Sequence, residues 1–342
     1  MAQKSDNGAP KDRFNRPIRD LRISLIDRCN YRCPYCMPSS KFGDDYEFLS
    51  RSARLNHDEI VRLAGIMVSL GVNKLRLTGG EPLLDKHIVD LVGRLASIDG
   101  VQDLALTTNG QLLASRAQQL RDAGLKRVTL SLDSVDPETF AAMSGGRGDL
   151  KAVLGGIAAA EDAGFALKIN TVVQRGVNDG ALLDLIEHFR GTPHVVRMIE
   201  YMDVGNRNGW RRDEVVPSEE VLQTIHERWP VSPLEPNYRG EVARRYRYDD
   251  GAGEIGFISS VTAPFCGDCH RARLAADGTL YTCLFATQGT RFLEPLRRGA
   301  TDDEIANMVS RVWRRRDDRY SKQRAMSEQP LLPKVEMYRV GG

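Results

Sequence analysis

The six cysteines of this chain stand in two widely separated groups of three. Cys29, Cys33 and Cys36 form C-x₃-C-x₂-C within CNYRCPYC, and Cys266, Cys269 and Cys283 form C-x₂-C-x₁₃-C within CGDCHRARLAADGTLYTC. Three ligands rather than four is the informative number. Structural zinc closes its tetrahedron with four protein ligands, whereas catalytic metal sites keep one position open. Iron–sulfur clusters take thiolates from closely spaced loops. The competing assignments are disulfides, structural zinc completed by a histidine, and small buried hydrophobes. The tight spacing of the first triad suits neither a disulfide nor zinc. At the second triad zinc stays open as an assignment, because C-x₂-C knuckles are common in zinc sites and His270 adjoins Cys269.

Ligands must be held by elements, and from about Leu21 to Val204 the pattern alternates between strand and helix. Strands are expected at 21–26, 74–78, 104–108, 127–132, 167–173 and 194–202. Helices are expected at 57–70, near 86–97, at about 112–123, and over 150–164 and 181–190. Asn56 can cap the first of these, whose Ile60, Leu63, Ala64 and Met67 share one face, and Gly71 ends it. Six mostly apolar strands, each entered from a helix, imply a parallel sheet covered by helices. Right-handed crossovers would curl that sheet into an open or closed barrel. Chemistry in such barrels gathers at the C-terminal ends of the strands. The first triad, GGEP (79–82), TTNG (107–110) and LDS (132–134) all follow strand ends, so they should converge on one mouth.

After about residue 205 the pattern changes. The helix SEEVLQTIHERW leads into a proline-rich link, PVSPLEP (230–236), and then a Gly-rich, irregular stretch that holds the second triad. We expect a disordered polar tail over 1–13, a barrel over 14–235 and a second domain or extension over 236–342, with a charged helix near 302–319. RVWRRRDDRY resembles a nucleic-acid patch in composition, but a solvated helix face is the favoured assignment. At 342 residues, with 41% hydrophobic and 27% charged residues, the chain can bury a large core, and its net charge of +2 assigns anion recognition to local arginines. No run is long enough to span a membrane, and the start offers no apolar signal segment, so a cytoplasmic enzyme with reduced thiols is expected.

CNYRCPYC after a strand, followed by GGEP after the next, resembles the radical S-adenosylmethionine (SAM) enzymes. Further segments narrow the likeness: DLRISLIDRCNYRCPYCMP, LRLTGGEPLL, LTTNG, VTLSLDS, KINTVV, IEYMDVG, FCGDCHRARLAADGTLYTCLF and the terminal Gly341–Gly342. Together, from about residue 14 to the end, they are similar to the GTP 3′,8-cyclases of molybdenum-cofactor biosynthesis. The resemblance implies an α/β fold: a partial (open) TIM-like (βα)₆ radical SAM barrel with an irregular C-terminal α+β extension.

It also implies two [4Fe–4S] clusters, one on each triad, with SAM bound at the first and the guanine of GTP at the second. Tyr35, Gly80, Ser131 and Met202 correspond to SAM-lining positions. Arg22, Arg76, Thr107, Lys168 and Arg271–Ala272–Arg273 correspond to GTP-binding ones. Gly80, lacking a Cβ, is expected to let the backbone approach the methionyl end closely. Arg271 and Arg273, two apart, share a face in an extended segment, and arginine forks suit phosphate oxygens. No Walker-type loop is present, so a nucleotide must use this other arrangement. Gly341 and Gly342 are expected to thread towards the active site.

The implied reaction is H3′ abstraction from GTP and C3′–C8 bond formation, giving (8S)-3′,8-cyclo-7,8-dihydroguanosine 5′-triphosphate. The partners implied are a flavodoxin- or ferredoxin-like electron donor, cyclic pyranopterin monophosphate synthase downstream, and a second copy in a homodimer. No nucleic acid or membrane is expected. The alternative is a radical SAM peptide-maturing enzyme with an auxiliary cluster, which would ordinarily carry more cysteines and has no need of HRAR.

Overall fold

A computed structural model describes residues 9–326 and 334–341. Its first half is the expected alternation. Strand β1 (Asp20–Ser24) leads to α1 (His57–Ser69), β2 (Lys74–Thr78), α2 (Ile88–Ala96), β3 (Asp103–Thr108), α3 (Ala117–Asp122) and β4 (Arg127–Ser131). Two helices follow, α4 (Pro137–Ser144) and α5 (Leu150–Asp162), then β5 (Lys168–Val173), α6 (Leu182–Phe189), β6 (Val195–Glu200) and α7 (Ser218–Arg228). The expected strands 21–26 and 194–202 are therefore shorter in fact, ending at Ser24 and Glu200. Helix α1 starts where Asn56 and Glu59 form a reciprocal capping box. Helix α4 was not expected, although Asp136 caps it and Pro137 opens it, a start signal present in the sequence.

The remaining strands are β7 (Val231–Leu234), β8 (Arg244–Tyr248), β9 (Glu254–Ile258), β10 (Arg271–Leu274), β11 (Thr279–Tyr281) and β12 (Thr290–Arg291), followed by helices α8 (Leu293–Arg297), α9 (Asp302–Arg314), α10 (Tyr320–Met326) and α11 (Met337–Val340). All strands join one sheet of order β12-β11-β10-β1-β2-β3-β4-β5-β6-β9-β8-β7, whose two ends do not meet. The barrel is open, as expected. What differs is how residues beyond 230 are used. They add β10 parallel to β1 on one side and β9 parallel to β6 on the other, each backed by antiparallel strands. The expected link PVSPLEP is strand β7, and its Pro233 is tolerated because β7 is an edge.

The expectation of mostly apolar strands also needs correction: they alternate. Leu21, Ile23, Leu75, Leu77, Leu104, Leu106, Val128, Leu130 and Ile169 are buried in one core with the helices. Between them Arg22, Arg76, Lys168 and Asn170 line the concave side, while the small Ala105 is buried in β3. The polar start, expected as a free tail, is in contact from residue 9: Asp12 and Arg16 are buried. Residues 1–8 of that expectation lie outside the described residues. The charged helix expected near 302–319 ends at Arg314, and among the described residues no helix is long and apolar enough to cross a membrane.

Candidate functional site

The concave face, the strand-end loops and the C-terminal segment enclose one cavity of about 310 Å³, and both cysteine triads open onto it. The loop after β1 carries the first triad in a tight turn, with the Cys36 and Met37 amides donating to the Cys33 carbonyl at 3.0 and 2.8 Å. Glycine at 80 has a local reason. Its amide donates to the Ile26 carbonyl at 2.7 Å, and a Cβ there would overlap the Arg28 carbonyl of the cysteine loop. The close approach that demands glycine is thus to the chain's own ligand loop.

Around this loop lie the expected SAM-lining residues Tyr35, Gly80, Ser131 and Met202, all on the cavity wall. Tyr35 donates to Asp133 at 2.8 Å, and Ser260 donates to the Met202 sulfur at 3.2 Å. Two carboxyls that sequence reading did not single out sit here. Asp133 accepts from Tyr35 and the Val172 amide yet is pushed up to about 6, because burial outweighs those bonds. Glu81 accepts from Leu83, Thr108 and Asn109, and burial still raises it to about 7. Glu81 and Asp133 both lie in motifs already noted, GGEP and LDS, which were the signal for them.

Deeper in the barrel the concave face is a belt of cations. The register aligns Arg273, Arg22 and Arg76 across β10, β1 and β2, and places Asp20 between Arg271 and Lys74 one step below. Lys168 and Arg197 continue the belt on β5 and β6, with Arg127 on β4. Adjacent parallel strands lie only ~4.8 Å apart, so these side chains crowd one another. Burial, then Arg273 and Arg76, holds Arg22 well below its usual value. Burial and neighbouring cations bring Arg197 to about 9, Arg273 to about 10 and Lys168 to about 8. Among the described residues the Nε atoms of Arg22, Arg76 and Arg197 have no hydrogen-bond partner. Thr107 and Thr129 accept from Arg76 at 3.1 and 3.0 Å, which gives Thr107 a positioning task. Arg127, by contrast, is occupied by Asp103. The belt was legible in part: β1, β2, β4, β5, β6 and β10 each carry a cation, at alternate positions in β2 and β10, while β3 carries none.

The HRAR segment divides. Arg271 and Arg273 share the concave face, whereas Ala272 is fully buried among the core residues on the other side. Ala272 can therefore offer the cavity only its main chain. Arg271 turns to the second triad, donating from Nε and Nη2 to the Cys269 sulfur at 3.4 and 3.3 Å. Arg273 donates to the carbonyls of Val340 and Gly341. Gly341 has φ +68°, and a Cβ on it would overlap Thr78, so the terminus reaches β2 where only glycine fits. Gly342 lies outside the described residues.

The donor sets suit iron–sulfur chemistry. Burial pushes Cys29 up to about 12 and raises Cys33 and Cys36 as well, so these thiols need a cation to become thiolates. In the second triad Cys283 is likewise pushed up to about 12, while Arg271 and Arg316 overcome burial and bring Cys269 down to about 5. Among the described residues no three His, Cys, Asp or Glu side chains gather closely enough to hold a single ion.

Known proteins resemble this chain in both sequence and fold. Residues 23–189 match the Radical SAM superfamily model, and residues 194–322 match the model described as Molybdenum Cofactor Synthesis C. A GTP 3′,8-cyclase of Xanthomonas campestris pv. campestris (strain B100) is 55% identical over 97% of each chain. One from Acidothermus cellulolyticus is 48% identical, covering 97% of this chain and 99% of the relative. Among solved structures, Streptococcus suis SuiB bound to the precursor peptide SuiA superposes with a TM-score of 0.60 over 91% of this chain and 68% of SuiB. At 14% identity, that likeness concerns the fold alone.

Proposed function

The chain belongs to the GTP 3′,8-cyclase family of radical SAM enzymes, and from that premise we propose how its residues divide the reaction. It is an enzyme of molybdenum-cofactor biosynthesis that cyclises GTP, using SAM and a [4Fe–4S] cluster. When bound, the cluster and SAM supply the 5′-deoxyadenosyl radical that takes H3′ of GTP. The protein's part is placement and exclusion of water.

Cys29, Cys33 and Cys36 would hold the cluster, and Tyr35, Gly80, Ser131 and Met202 line the neighbouring wall that would receive SAM. One observation supports the GTP assignment most: a concave belt of crowded, partly unpaired cations opening onto the same cavity as both triads. A triphosphate is the anion that relieves such crowding, through charge-assisted bonds to guanidinium forks. Arg22, Arg76, Lys168 and Arg273, with Lys74 and Arg197 added from the geometry, would hold the phosphates, and Thr107 would keep Arg76 aimed. The ribose would then lie towards the mouth, between the triads. Cys266, Cys269 and Cys283 would hold a second [4Fe–4S] cluster facing the guanine. Arg271, donating to Cys269, would serve that cluster more than the phosphates. The remaining partners we propose are a flavodoxin- or ferredoxin-like reductant, a homodimeric partner copy, and cyclic pyranopterin monophosphate synthase to take the product, all in the cytoplasm, where thiols stay reduced.

Anaerobically reconstituted enzyme given GTP, SAM and a strong reductant should form 3′,8-cyclised nucleotide and deoxyadenosine together. Deoxyadenosine with no nucleotide product would overturn this reading in favour of another substrate.

Lys168 makes the reaction pH-sensitive in a defined direction. Its ammonium is the phosphate-binding form, and burial among cations sets its loss at about pH 8 in the ligand-free enzyme. KM for GTP should be flat below that pH and rise about tenfold per unit above it, while kcat stays flat because bound phosphate pulls the proton back on. Lys168→Arg should move the break up to about 9, where Arg197 titrates. A KM independent of pH between 7 and 9.5 in the wild type would separate Lys168 from the phosphates.

A further inference from the structure

The polar start of the chain and the basic end of α9 meet behind the second triad. Asp12 accepts from Arg16 Nε at 2.6 Å and from Arg316 Nη1 at 3.2 Å, and all three residues are buried. Arg16 Nη1 donates to the Cys266 carbonyl at 2.6 Å, and Arg316 Nη1 donates to the Cys269 carbonyl at 2.6 Å. Arg316 Nε donates to the carbonyl of Thr282, next to Cys283, at 3.1 Å, and to Asp318 at 3.2 Å. Two buried arginines therefore grip the main chain at or beside each of the three cysteines.

Arg316 does one thing more. Its Nη2 donates to the Cys269 sulfur at 3.2 Å, beside the two contacts from Arg271. The guanidinium is itself fixed, lying over the Trp313 ring at 4.6 Å, and Trp313 donates to the Arg16 carbonyl at 2.9 Å. At the first triad the buried Arg32 also holds the main chain, donating to the Cys29 carbonyl at 2.8 Å, but among the described residues the Cys29 sulfur accepts only from the neutral Tyr31 amide at 3.4 Å and Asn109 at 3.9 Å. Burying guanidinium charge is costly unless it is paired. Against the charges of Arg16 and Arg316 stand Asp12 and the less buried Asp318.

We infer that Arg316, backed by Asp12 and Arg16, is the positioning residue of the second centre. It holds the three cysteines in their mutual arrangement, and its N–H donation to the Cys269 sulfur raises the reduction potential of the cluster bound there. Partners outside the ligand shell orient ligands, and hydrogen bonds to sulfur with nearby positive charge favour the reduced cluster. The inference rests on reading the second triad as an iron–sulfur site.

The test is an anaerobic redox titration of the full, reconstituted chain followed by electron paramagnetic resonance, together with chelator extraction of iron. In Arg316→Gln the second cluster should titrate at a more negative potential and yield to about tenfold less chelator. The signal of the first cluster, identified by its response to SAM, should stay unchanged. Arg316→Lys keeps the charge and spares folding but loses the fork, so it should also release the second cluster more readily, with a smaller shift in potential. Wild-type potential and wild-type extraction in both variants would reduce the network to packing and overturn the proposal. Wild-type enzyme holding only about four irons per chain would instead overturn the iron–sulfur reading of the triad itself.

Discussion

Cys33→Ala should abolish deoxyadenosine formation and remove about one cluster's iron per chain, leaving the second triad's iron in place. The thiol lies at the centre of the first ligand loop, and only the Cys33 carbonyl, not its side chain, closes the turn to Cys36 and Met37. Alanine therefore preserves the local fold. What it removes is one of only three thiolates, where burial already holds the thiols protonated unless a metal draws the proton away. The two triads are separate ligand sets, so the loss should not spread. Iron and sulfide analysis beside a SAM-cleavage assay measures both effects. Wild-type cleavage in the reconstituted variant would refute the ligand assignment.

The second large effect concerns the cation belt. The Arg22→Ala plus Arg76→Ala variant should lose GTP affinity by about 3 kcal/mol or more, at 1.5–3 kcal/mol for each charge-assisted contact. Two neighbours in one crowded row will not be strictly additive, since removing one relieves the other. Guanosine should bind both forms alike, so titration calorimetry with GTP against guanosine isolates the phosphate contribution. The ligand-free variant should melt no lower than the wild type, because a buried, under-paired guanidinium is a cost that the empty site bears. A preserved preference for GTP with a lowered melting temperature would make these arginines structural. Arg271→Ala should behave differently and disturb the second cluster before it weakens phosphate binding, given its contacts with Cys269.

Much of this was legible before any coordinates. The first triad, GGEP, TTNG and LDS could be placed at strand ends because β1 to β6 are short, read as mostly apolar and are separated by amphipathic helices; their alternation was not read. That is local information, and six βα units leave few topologies open. The belt was half legible. Arg22, Arg76 and Lys168 were singled out by resemblance, whereas Lys74, Arg197 and Asp20 needed the register, since residues distant in sequence become neighbours only when strands pair. Helix α4 was missed although its Asp136–Pro137 start was visible.

What the amino-acid order determined by itself was the chemistry: ligand type and spacing, strand and helix periods, and hence an α/β barrel, open or closed, with the first triad at its mouth. Tertiary structure alone decided the use of the segments with no strong period of their own. The stretch beyond residue 230 is divided between both sheet edges, a choice made by hydrogen bonds that no local pattern encodes. Asp12 and Arg316, polar residues in polar surroundings by sequence, are buried behind Cys269 because each finds a partner about 300 positions away. Burial of charge depends on such pairing, and pairing at that distance is a property of the folded chain rather than of any stretch of it.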